Sequence, residues 1–457
     1  MSQDSISVEH EVVSAEPTKD FFISMLIRDI GLAPAIVDLV DNSVDGARRL
    51  RDSAPAGPDS THEKFRDLSV SIRFDQESFS INDNCGGIPW DIAQNYAFRF
   101  GRPAAAPATP NAIGQFGIGM KRALFKLGGA FTVESRTIEG HFRLGVDVAA
   151  WRESTDWTFN NVVYTRESAA DSDTGTTIEV TDLHETVKQQ FAQAQFESEL
   201  AEELSRIHQA SMGDGLVIAL NGVPVDVNLL SLLASDELRP AYISRTLYAE
   251  DPQPVTVKVY AGIDVSSPSD AGWYLYCNGR QILGPDRTPT TGWGEGNGRK
   301  IPQYHNQFAR FRGYVFFDSA DVGKLPWTTT KEGVDAGHPV YRAIRPEMVE
   351  LMRPVINFLN ALDAEKDHPQ QGRESLEAMV ARAESSRSDL GDVSESIRFV
   401  VPERPRVPKG PETQSIQYAR PLSQINAVKR KLRVTSATKV GESTFDYFYS
   451  RECADDD

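Results

Sequence analysis

The sequence predicts an α+β protein with more than one domain. At 457 residues the chain is long enough to fold around two or three hydrophobic cores. Residues 68–74 alternate strictly between apolar and polar, which is typical of a half-buried strand. The apolar residues of 36–44 recur at helical spacing instead. An Asn-Gly pair at 221–222 lies between two short apolar runs and predicts a β-hairpin.

The other elements follow from periodicity and from turn residues. Helices are predicted over 19–50 with a break near Gly31 and Pro34, and over 91–100, 120–127, 185–210 and 339–362. Further strands are predicted over 78–82, 131–135, 141–148, 162–164, 177–181, 255–260, 273–277 and 312–317. The uninterrupted helix over 185–210 marks a joint between domains, so the hairpin is expected in the second one. From 363 onward the chain is polar, with a proline-rich linker at 401–412 and a short terminal helix at 445–451.

Composition excludes several classes of protein. The net charge of −17 argues against a protein that coats nucleic acid by bulk electrostatics. The apolar runs are too short for a membrane span, and the first residues have neither a basic leader nor an apolar signal core. Three scattered cysteines cannot form a disulfide framework, and eight histidines lack the spacing of zinc ligands. A cytoplasmic protein without membrane contact is therefore expected.

The segment 401–440 departs from the acidic average. It carries nine basic and two acidic residues, an excess of seven positive charges. A solvated linker explains this composition. A contact with DNA or with an acidic partner protein is the alternative.

The first candidate site residues lie in DLVDNSVDGA, residues 38–47. Asp38, Asn42 and Asp45 are spaced i, i+4 and i+7 and therefore share one face of a helix. The amide oxygen of Asn42 suits Mg²⁺, which prefers hard oxygen ligands. Asp38 lies one turn away, where a carboxylate can orient and deprotonate a water. A solvated acidic helix face is the alternative interpretation.

Three further pieces complete the pattern. Asp83 ends a strand before Gly86-Gly87, where a carboxylate can accept from an exocyclic amine such as that of adenine, or form an ordinary Asx turn. IGQFGIGMK places three glycines directly before a helix, whose unpaired N–H groups suit phosphate oxygens. A flexible hinge is the alternative there. Thr176 opens a strand after Gly175 and offers a small hydroxyl.

In order and spacing these four pieces resemble the N box, the DxGxG box, the GxxGxG box and the terminal GT motif of the GHKL ATPases. That superfamily comprises gyrase-type topoisomerases, heat-shock chaperones, histidine kinases and MutL-like proteins. DLVDNSVDGA and GTTIEVTDL are most similar to MutL, whereas IGQFGIGMK and WYLYCNGRQILGPDR are similar to the MORC (microrchidia) ATPases. The resemblance covers residues 21–362. It implies a Bergerat-type α/β sandwich ATPase domain (1–186), a transducer-like α+β domain (187–363) and a C-terminal extension (364–457).

The resemblance also implies the residues that bind ATP and Mg²⁺. Asn42 would hold Mg²⁺, Asp83 would bind the adenine amine, Gly87 would pack beside the base, and Thr176 would support the adenine end. The loop 101–113 would be a lid over the nucleotide. The phosphates would be wrapped by Gly114, Gln115, Phe116, Gly117, Ile118, Gly119 and Lys121.

Two catalytic residues are implied as well. Asp38 would be the general base, and a lysine of the second domain would contact the γ-phosphate. LPWTTTKEGVD places Lys331 in that role, with Lys324 as the alternative, and a surface lysine in a loop would explain Lys331 equally well.

Two departures from the family pattern affect these expectations. The usual base is Glu, and Asp38 is one methylene shorter, which can cost on the order of 100-fold in rate. Cys85 stands where the second box normally has its first glycine, which puts the loop geometry in question.

The implied function is a slow, ATP-driven dimeric clamp or switch in DNA transactions or bacterial antiviral defence. Two alternatives stay open: a non-catalytic ATP-binding scaffold or chaperone, and a histidine kinase. The kinase is disfavoured because no helix pair with a phospho-acceptor histidine precedes the N box, and His10 is too close to the terminus.

Overall fold

A computed structural model describes most of the chain. The described residues are 17–52, 64–101, 110–114, 117–167, 170, 173–227, 229–235, 238–295, 301–367, 374–384, 387–393, 398–401, 416 and 418–453. The predicted proline-rich linker, apart from Val401, and the greater part of the predicted lid therefore lie outside them. The chain divides into one unit formed by 1–370 and 374–404, and a second formed by 371–373 and 405–457.

The first part of the larger unit is built around an eight-stranded sheet of order β5-β4-β3-β6-β2-β1-β7-β8. Its strands pair antiparallel except for β1 and β7, which are parallel. The elements follow one another as α1 (Lys19–Arg28), α2 (Leu32–Asp52), β1 (Ser69–Phe74), β2 (Phe79–Asp83), α3 (Trp90–Ile92), a π-helix (Ala93–Ala97), α4 (Gly119–Leu127), β3 (Gly128–Arg136), β4 (His141–Asp147), α5 (Val148–Glu153), β5 (Val162–Thr165), β6 (Gly175–Leu183), α6 (Glu185–Phe191), α7 (Ala194–Ile207), α8 (Gln209–Gly213), β7 (Val217–Leu220) and β8 (Val223–Pro224).

The strand alternation read from the sequence matches the burial. Val70 and Ile72 of β1 are buried, as are Ile81 of β2 and Val133 of β3, and they belong to one hydrophobic core with α2 and α4. The Asn-Gly hairpin is β7 and β8, and it extends this first sheet although it follows the predicted boundary at 186.

The predicted helix over 185–210 is wrong as a single element, since it is divided into α6, α7 and α8. Phe191 and Phe196 both pack against Phe74, with ring centroids 4.4 and 5.7 Å away. Residues five apart on a continuous helix point about 140° away from each other. The break at Ala192–Gln193, where Gln193 is extended, lets both rings reach the same partner. The predicted helix over 91–100 is likewise shorter, because α3 is followed by the π-helix and helical structure ends at Ala97.

A second sheet follows, of order β10-β11-β14-β12-β13, with β12 and β14 parallel. The sequence missed β10 and β13, and a small sheet of β9 and β15. The elements are β9 (Ser231–Leu233), β10 (Ala241–Leu247), β11 (Val255–Ile263), β12 (Gly272–Cys277), β13 (Arg280–Asp286), β14 (Phe311–Asp318), α9 (Pro339–Asp367), α10 (Leu376–Glu384) and β15 (Arg387–Asp389), with short 3₁₀ turns at Pro289–Thr291, Asn306–Phe308, Val322–Lys324 and Leu390–Asp392. The long helix α9 covers this sheet, where Trp273 donates from Nε1 to the Met352 sulfur at 3.4 Å.

The turn between β12 and β13 joins the second sheet to α2. Arg48 of α2 donates to the carbonyl of Asn278 in this turn and, at 2.6 Å, to the carbonyl of Asn111. Asn278 in turn donates from its side chain to the carbonyl of Ala112 at 3.0 Å. The second sheet is thereby fixed to the segment that leads into the glycine loop.

The smaller unit contains α11 (Leu422–Leu432) and α12 (Ala437–Glu452), which pack against each other. The terminal helix predicted at 445–451 is therefore longer than expected, and α11 was missed because its segment was interpreted as a linker. Within the described residues, no helix is both long enough and apolar enough to span a membrane.

Candidate functional site

A cavity of about 400 Å³ opens between α2, the loop after β2 and the start of α4. This volume lies in the range of small-molecule and cofactor pockets. The lining residues come from separate parts of the chain: Asp38, Leu39, Asn42, Ser43, Asp45, Gly46, Arg49, Ile81, Asp83, Cys85, Gly87, Ile88, Ile92, Tyr96, Ala97, Pro110, Ala112, Gly114, Gly117, Ile118, Gly119, Met120, Lys121, Arg122, Thr176, Ile178, Thr329 and Lys331.

One wall of the cavity is the polar face of α2. Asp38, Asn42 and Asp45 all line it, as their spacing predicted. The opposite face of the helix is anchored in the core by Ile36 and Val40, which are fully buried. The position of the three polar side chains is therefore set by the packing of the apolar stripe behind them.

Asp38 is buried between two cations. Its Oδ2 is paired with Arg122 of α4, and its Oδ1 lies 3.3 Å from the Nζ atom of Lys331. Its carboxyl carbon also lies only 3.2 Å from where a side chain on Gly119 would begin. Glycine at 119 thus lets α4 approach the carboxylate closely.

Asn42 presents an oxygen to the cavity. Its Nδ2 donates to the Asp38 carbonyl at 2.9 Å, and only the nitrogen of an amide can donate. Oδ1 therefore points the other way, where it lies 3.8 Å from the position of a Cβ on Gly114. A hard oxygen donor facing the glycine loop fits Mg²⁺, which is usually held by one or two protein ligands, substrate phosphates and water.

Asp45 fixes the start of the glycine loop. Its two carboxylate oxygens accept from the backbone N–H groups of Ile113 and Gly114 at 2.7 and 2.8 Å. Burial raises the pKa of Asp45, although Arg48 and these two hydrogen bonds act in the opposite direction. The acid therefore has a structural role beside the cavity.

Asp83 lies at the end of β2 with most of its acceptor capacity used. Oδ2 accepts from the hydroxyl of Ser43 at 2.7 Å, and Oδ1 accepts from the N–H groups of Cys85 and Thr176 at 3.0 and 3.2 Å. A carboxylate offers about four lone-pair directions, so one remains for a ligand. Burial raises the pKa of Asp83, against the effect of these three donors.

The loop after Asp83 accommodates Cys85 without strain. Its left-handed residues are Gly86 and Gly87, with φ of 85° and 73°, and Cys85 is not among the positive-φ residues. The departure from the family pattern at this position therefore leaves the turn intact. Gly87 is required for another reason, because a Cβ there would lie 2.2 Å from the carbonyl oxygen of Arg136.

We expect Gly87→Ala to destabilise the protein by roughly 3–5 kcal/mol, since it adds a backbone clash to an unfavourable φ. The matched control is Gly222→Ala at φ 87°, where no described atom beyond the two neighbouring residues lies within 4 Å of the new methyl group. This control is expected to lose only about 1 kcal/mol of stability, from the unfavourable backbone conformation alone. Thermal unfolding of the ligand-free protein measures both, and equal shifts in the two midpoints would contradict the close approach.

The glycine loop leads into α4. Gly117 is left-handed with φ 63°, and α4 begins at Gly119 with Ile118 at the cap position, so no side chain caps the helix. An uncapped helix N-terminus that faces a cavity suits an anion. Gln115 and Phe116, both predicted to contact phosphate, lie outside the described residues.

Lys121 also lines the cavity, but its ammonium group is bonded to the protein. Nζ donates to the carbonyls of Ala97, at 2.7 Å, and Gly117. Burial lowers the pKa of Lys121 to about 7. The lysine thus ties the glycine loop to the π-helix, a role that its place in the sequence did not predict.

Of the two candidate lysines, the structure brings Lys331 to the cavity. Lys331 is buried, with Nζ 2.7 Å from Asp41 and 3.3 Å from Asp38. Lys324 instead pairs with Asp251 at 2.6 Å and donates to the Gln253 carbonyl at 2.8 Å, and it does not line the cavity.

Among the described residues, no group of three or more His, Cys, Asp or Glu side chains could hold a metal ion.

Residues 30–186 match the family of histidine kinase-, DNA gyrase B- and HSP90-like ATPases. This segment is a GHKL-type ATPase domain. No curated protein matches the chain. The predicted α+β fold is thus confirmed, with a sheet-and-helix ATPase domain followed by further α/β structure.

Among the described residues that line the cavity, all but two belong to the GHKL-type domain. Thr329 and Lys331 come from beyond residue 186, in the segment between β14 and α9. The site is therefore assembled from the GHKL-type domain and from the structure that follows it.

Several residues of this site were not predicted from the sequence. Ser43 was overlooked although it bonds Asp83, and Arg122 was not considered for the site although it pairs with Asp38. The position of Arg122 directly after Lys121 was the sequence signal that could have placed it at the site. Arg280 lies in WYLYCNGRQILGPDR, which drew attention only as a family resemblance, and it bonds Asp41.

Proposed function

We propose that this protein binds ATP with Mg²⁺ in the cavity and hydrolyses it slowly. The observation that carries the proposal is the convergence of four separate sequence motifs on one cavity of about 400 Å³, with Asp38, Asn42, Asp83 and Thr176 in its wall. GHKL-type domains generally bind and hydrolyse ATP, which agrees with the match over 30–186.

In this proposal different residues of the cavity bind different parts of the nucleotide. The free lone pair of Asp83 accepts from the adenine amine, with Thr176 and Gly87 beside the base. Backbone N–H groups of the glycine loop and of the α4 N-terminus bind the phosphates. Asn42 holds Mg²⁺, which neutralises phosphate charge when bound.

Hydrolysis in this proposal depends on Asp38. Both of its oxygens have cationic partners, so a water at the carboxylate shares these oxygens with Arg122 and Lys331 unless one of them moves aside. A γ-phosphate would attract Lys331 and free Oδ1 for that water. The short reach of aspartate and the competition of the two cations for its oxygens both predict a low turnover rate.

The proposal extends to a nucleotide-driven dimeric clamp or switch in DNA transactions or antiviral defence, within the cytoplasm. Dimerisation is common among GHKL ATPases, and the MORC-like and MutL-like motifs support the biological setting. In this arrangement 1–186 is the ATPase domain, 187–363 a transducer-like domain and 364–457 an extension. The basic segment 401–440 is the proposed contact for DNA or an effector, and its described part includes exposed basic residues of α11 such as Arg430 and Lys431.

Two rivals predict different biochemistry. A scaffold or chaperone would bind ATP without turning it over. A histidine kinase would transfer the γ-phosphate to a histidine, and the only candidate in the sequence before the N box, His10, lies outside the described residues.

Nucleotide binding and phosphate release separate these possibilities. We expect the wild type to bind ATP and to release phosphate in a Mg²⁺-dependent manner, and Asn42→Ala to lose both. ATP binding with only background release in all variants would favour the scaffold, and retention of ³²P on the protein would favour the kinase. Failure of the wild type to bind ATP would refute the proposal.

The dimeric clamp has its own test. Gel filtration with a non-hydrolysable ATP analogue is expected to show a dimer that is absent without nucleotide. A monomer at saturating analogue would rule out the clamp while leaving ATP binding intact.

A further inference from the structure

Asp41 of α2 is the closest partner of the cavity lysine, although it does not itself line the cavity. The Nζ atom of Lys331 lies 2.7 Å from Asp41 Oδ2, compared with 3.3 Å from Asp38 Oδ1. Asp41 is 1% exposed, so this ion pair is shielded from solvent. Ion pairs of this kind are expensive to separate, because one charge is then left buried without its partner.

Arg280, the first residue of β13, holds both members of the pair. Its Nε atom lies 3.0 and 3.1 Å from the two oxygens of Asp41. Its Nη1 atom donates to the backbone carbonyl of Lys331 at 2.9 Å. Lys331 itself has φ 60°, a left-handed conformation that a lysine rarely adopts. One guanidinium group therefore fixes the acid and also the strained backbone from which the lysine projects.

The charges around Asp41 leave Lys331 and Arg280 as its counter-ions. Burial alone raises the pKa of Asp41, but the positive charges of Arg280 and Lys331 hold that pKa below its ordinary value. His208 lies 3.6 Å from Asp41, and burial lowers the pKa of this histidine to about 4. His208 is thus neutral at pH 7 and does not replace the lysine.

We propose that Asp41 is the resident counter-ion of Lys331 in the nucleotide-free protein, and thereby a positioning residue that sets how strongly ATP is preferred over ADP. The inference rests on the proposed function. For Lys331 to reach a γ-phosphate it must leave Asp41 or share it, and the free energy of that step is subtracted from ATP binding. ADP has no γ-phosphate and does not draw the lysine away, so its affinity is not reduced in this way.

The test is the ratio of dissociation constants, Kd for ADP over Kd for a non-hydrolysable ATP analogue, measured by calorimetry with Mg²⁺. Asp41→Asn keeps the shape of the side chain and removes its charge. We expect this variant to raise the ratio at least about tenfold, as for the loss of a close buried charge pair. Lys331→Met is expected to lower the ratio towards one, and Asp41→Asn is expected to have no further effect in the Lys331→Met background.

The control is Asp286→Asn, which neutralises a buried acid at the far end of β13 and is expected to leave the ratio unchanged. Asp41→Asn leaves Arg280 without its acid, so the double variant Asp41→Asn/Arg280→Met is prepared alongside it. Removal of both charges preserves the balance of the cluster and favours folding. This double variant is also expected to raise the ratio.

The outcomes separate the inference from the proposed function. If the wild type binds neither nucleotide, both are refuted. If it binds both nucleotides and Asp41→Asn leaves the ratio unchanged, the counter-ion role is refuted and ATP binding stands. The same holds if Asp41→Asn changes the ratio as much in the Lys331→Met background as it does in the wild type. If Lys331→Met does not lower the ratio, the lysine does not sense the γ-phosphate and the inference is again refuted.

Discussion

Asp38→Asn is expected to lower kcat for ATP hydrolysis by about 10²–10⁴-fold, the usual contribution of a general base. The amide has the same shape as the carboxylate and can still orient a water, but it cannot accept the proton. Affinity for ATP should change only a few-fold, because the proposed ligands of base, phosphate and metal are other residues. Single-turnover phosphate release together with equilibrium ATP binding measures the two effects separately.

The ion pairs of Asp38 make a control necessary. Neutralising Asp38 also removes a partner from Arg122 and Lys331, so the rate could fall through their displacement. Arg122→Gln removes one of these pairs while keeping the base, and we expect it to reduce kcat less than Asp38→Asn. An equal reduction in both variants would mean that the ion pair, and not proton abstraction, explains the loss.

Asp38→Glu provides a change in the opposite direction. It restores the residue usual for the family and adds about 1 Å of reach towards a water in the cavity. If short reach limits the rate, kcat should rise, by up to about 100-fold. A rate as low as that of Asp38→Asn would contradict the idea that reach is limiting.

The parts of this site that the sequence predicted are those governed by local periodicity. Asp38 and Asn42 share a cavity wall because a helix repeats every 3.6 residues and its other face is apolar. Asp83 could be placed because it ends an alternating strand, and strand alternation reports which face is buried. These rules act over less than ten residues and can be read from the chain directly.

The interactions that the sequence did not predict join distant residues. Arg280 and Asp41 are 239 positions apart, and Arg122 and Asp38 are 84 apart. No local rule selects one arginine of the chain as the partner of one buried acid. The same limit applied to Lys331 and Lys324: the sequence favoured Lys331 and left Lys324 open, and it is the fold that brings Lys331 to the cavity.

Tertiary packing also overrode local propensity in the helices. The segment 185–210 has continuous helical periodicity, but Phe191 and Phe196 both reach Phe74 only if the helix breaks between them. Periodicity describes which face of a helix is apolar. It does not show which side chains of that face must reach the same partner in the fold.

Asp83→Asn is expected to reverse the preference of the site between adenine and a base with oxygen at position 6. In the structure the carboxylate accepts three hydrogen bonds, from Ser43, Cys85 and Thr176, and has one acceptor direction left. Asparagine can keep these contacts, since its oxygen can accept from the two N–H groups and its NH₂ group can donate to the Ser43 hydroxyl oxygen. Folding should therefore be preserved, while the remaining direction changes from acceptor to donor.

A donor in that position opposes the adenine amine and suits the 6-oxo group of inosine. Sites built to hydrogen-bond one group discriminate strongly against a ligand that leaves them unpaired. We therefore expect the ratio of Kd for ITP over Kd for ATP to fall by about 10³-fold in Asp83→Asn, measured by competition against a fluorescent nucleotide. Ser43→Ala removes a donor from the same carboxylate and leaves the acceptor that faces the base unchanged. It should therefore lower the affinity for both nucleotides slightly and leave the ratio unchanged. An equal loss of affinity for ATP and ITP in Asp83→Asn would indicate that Asp83 supports the loop after β2 and does not determine which base is bound.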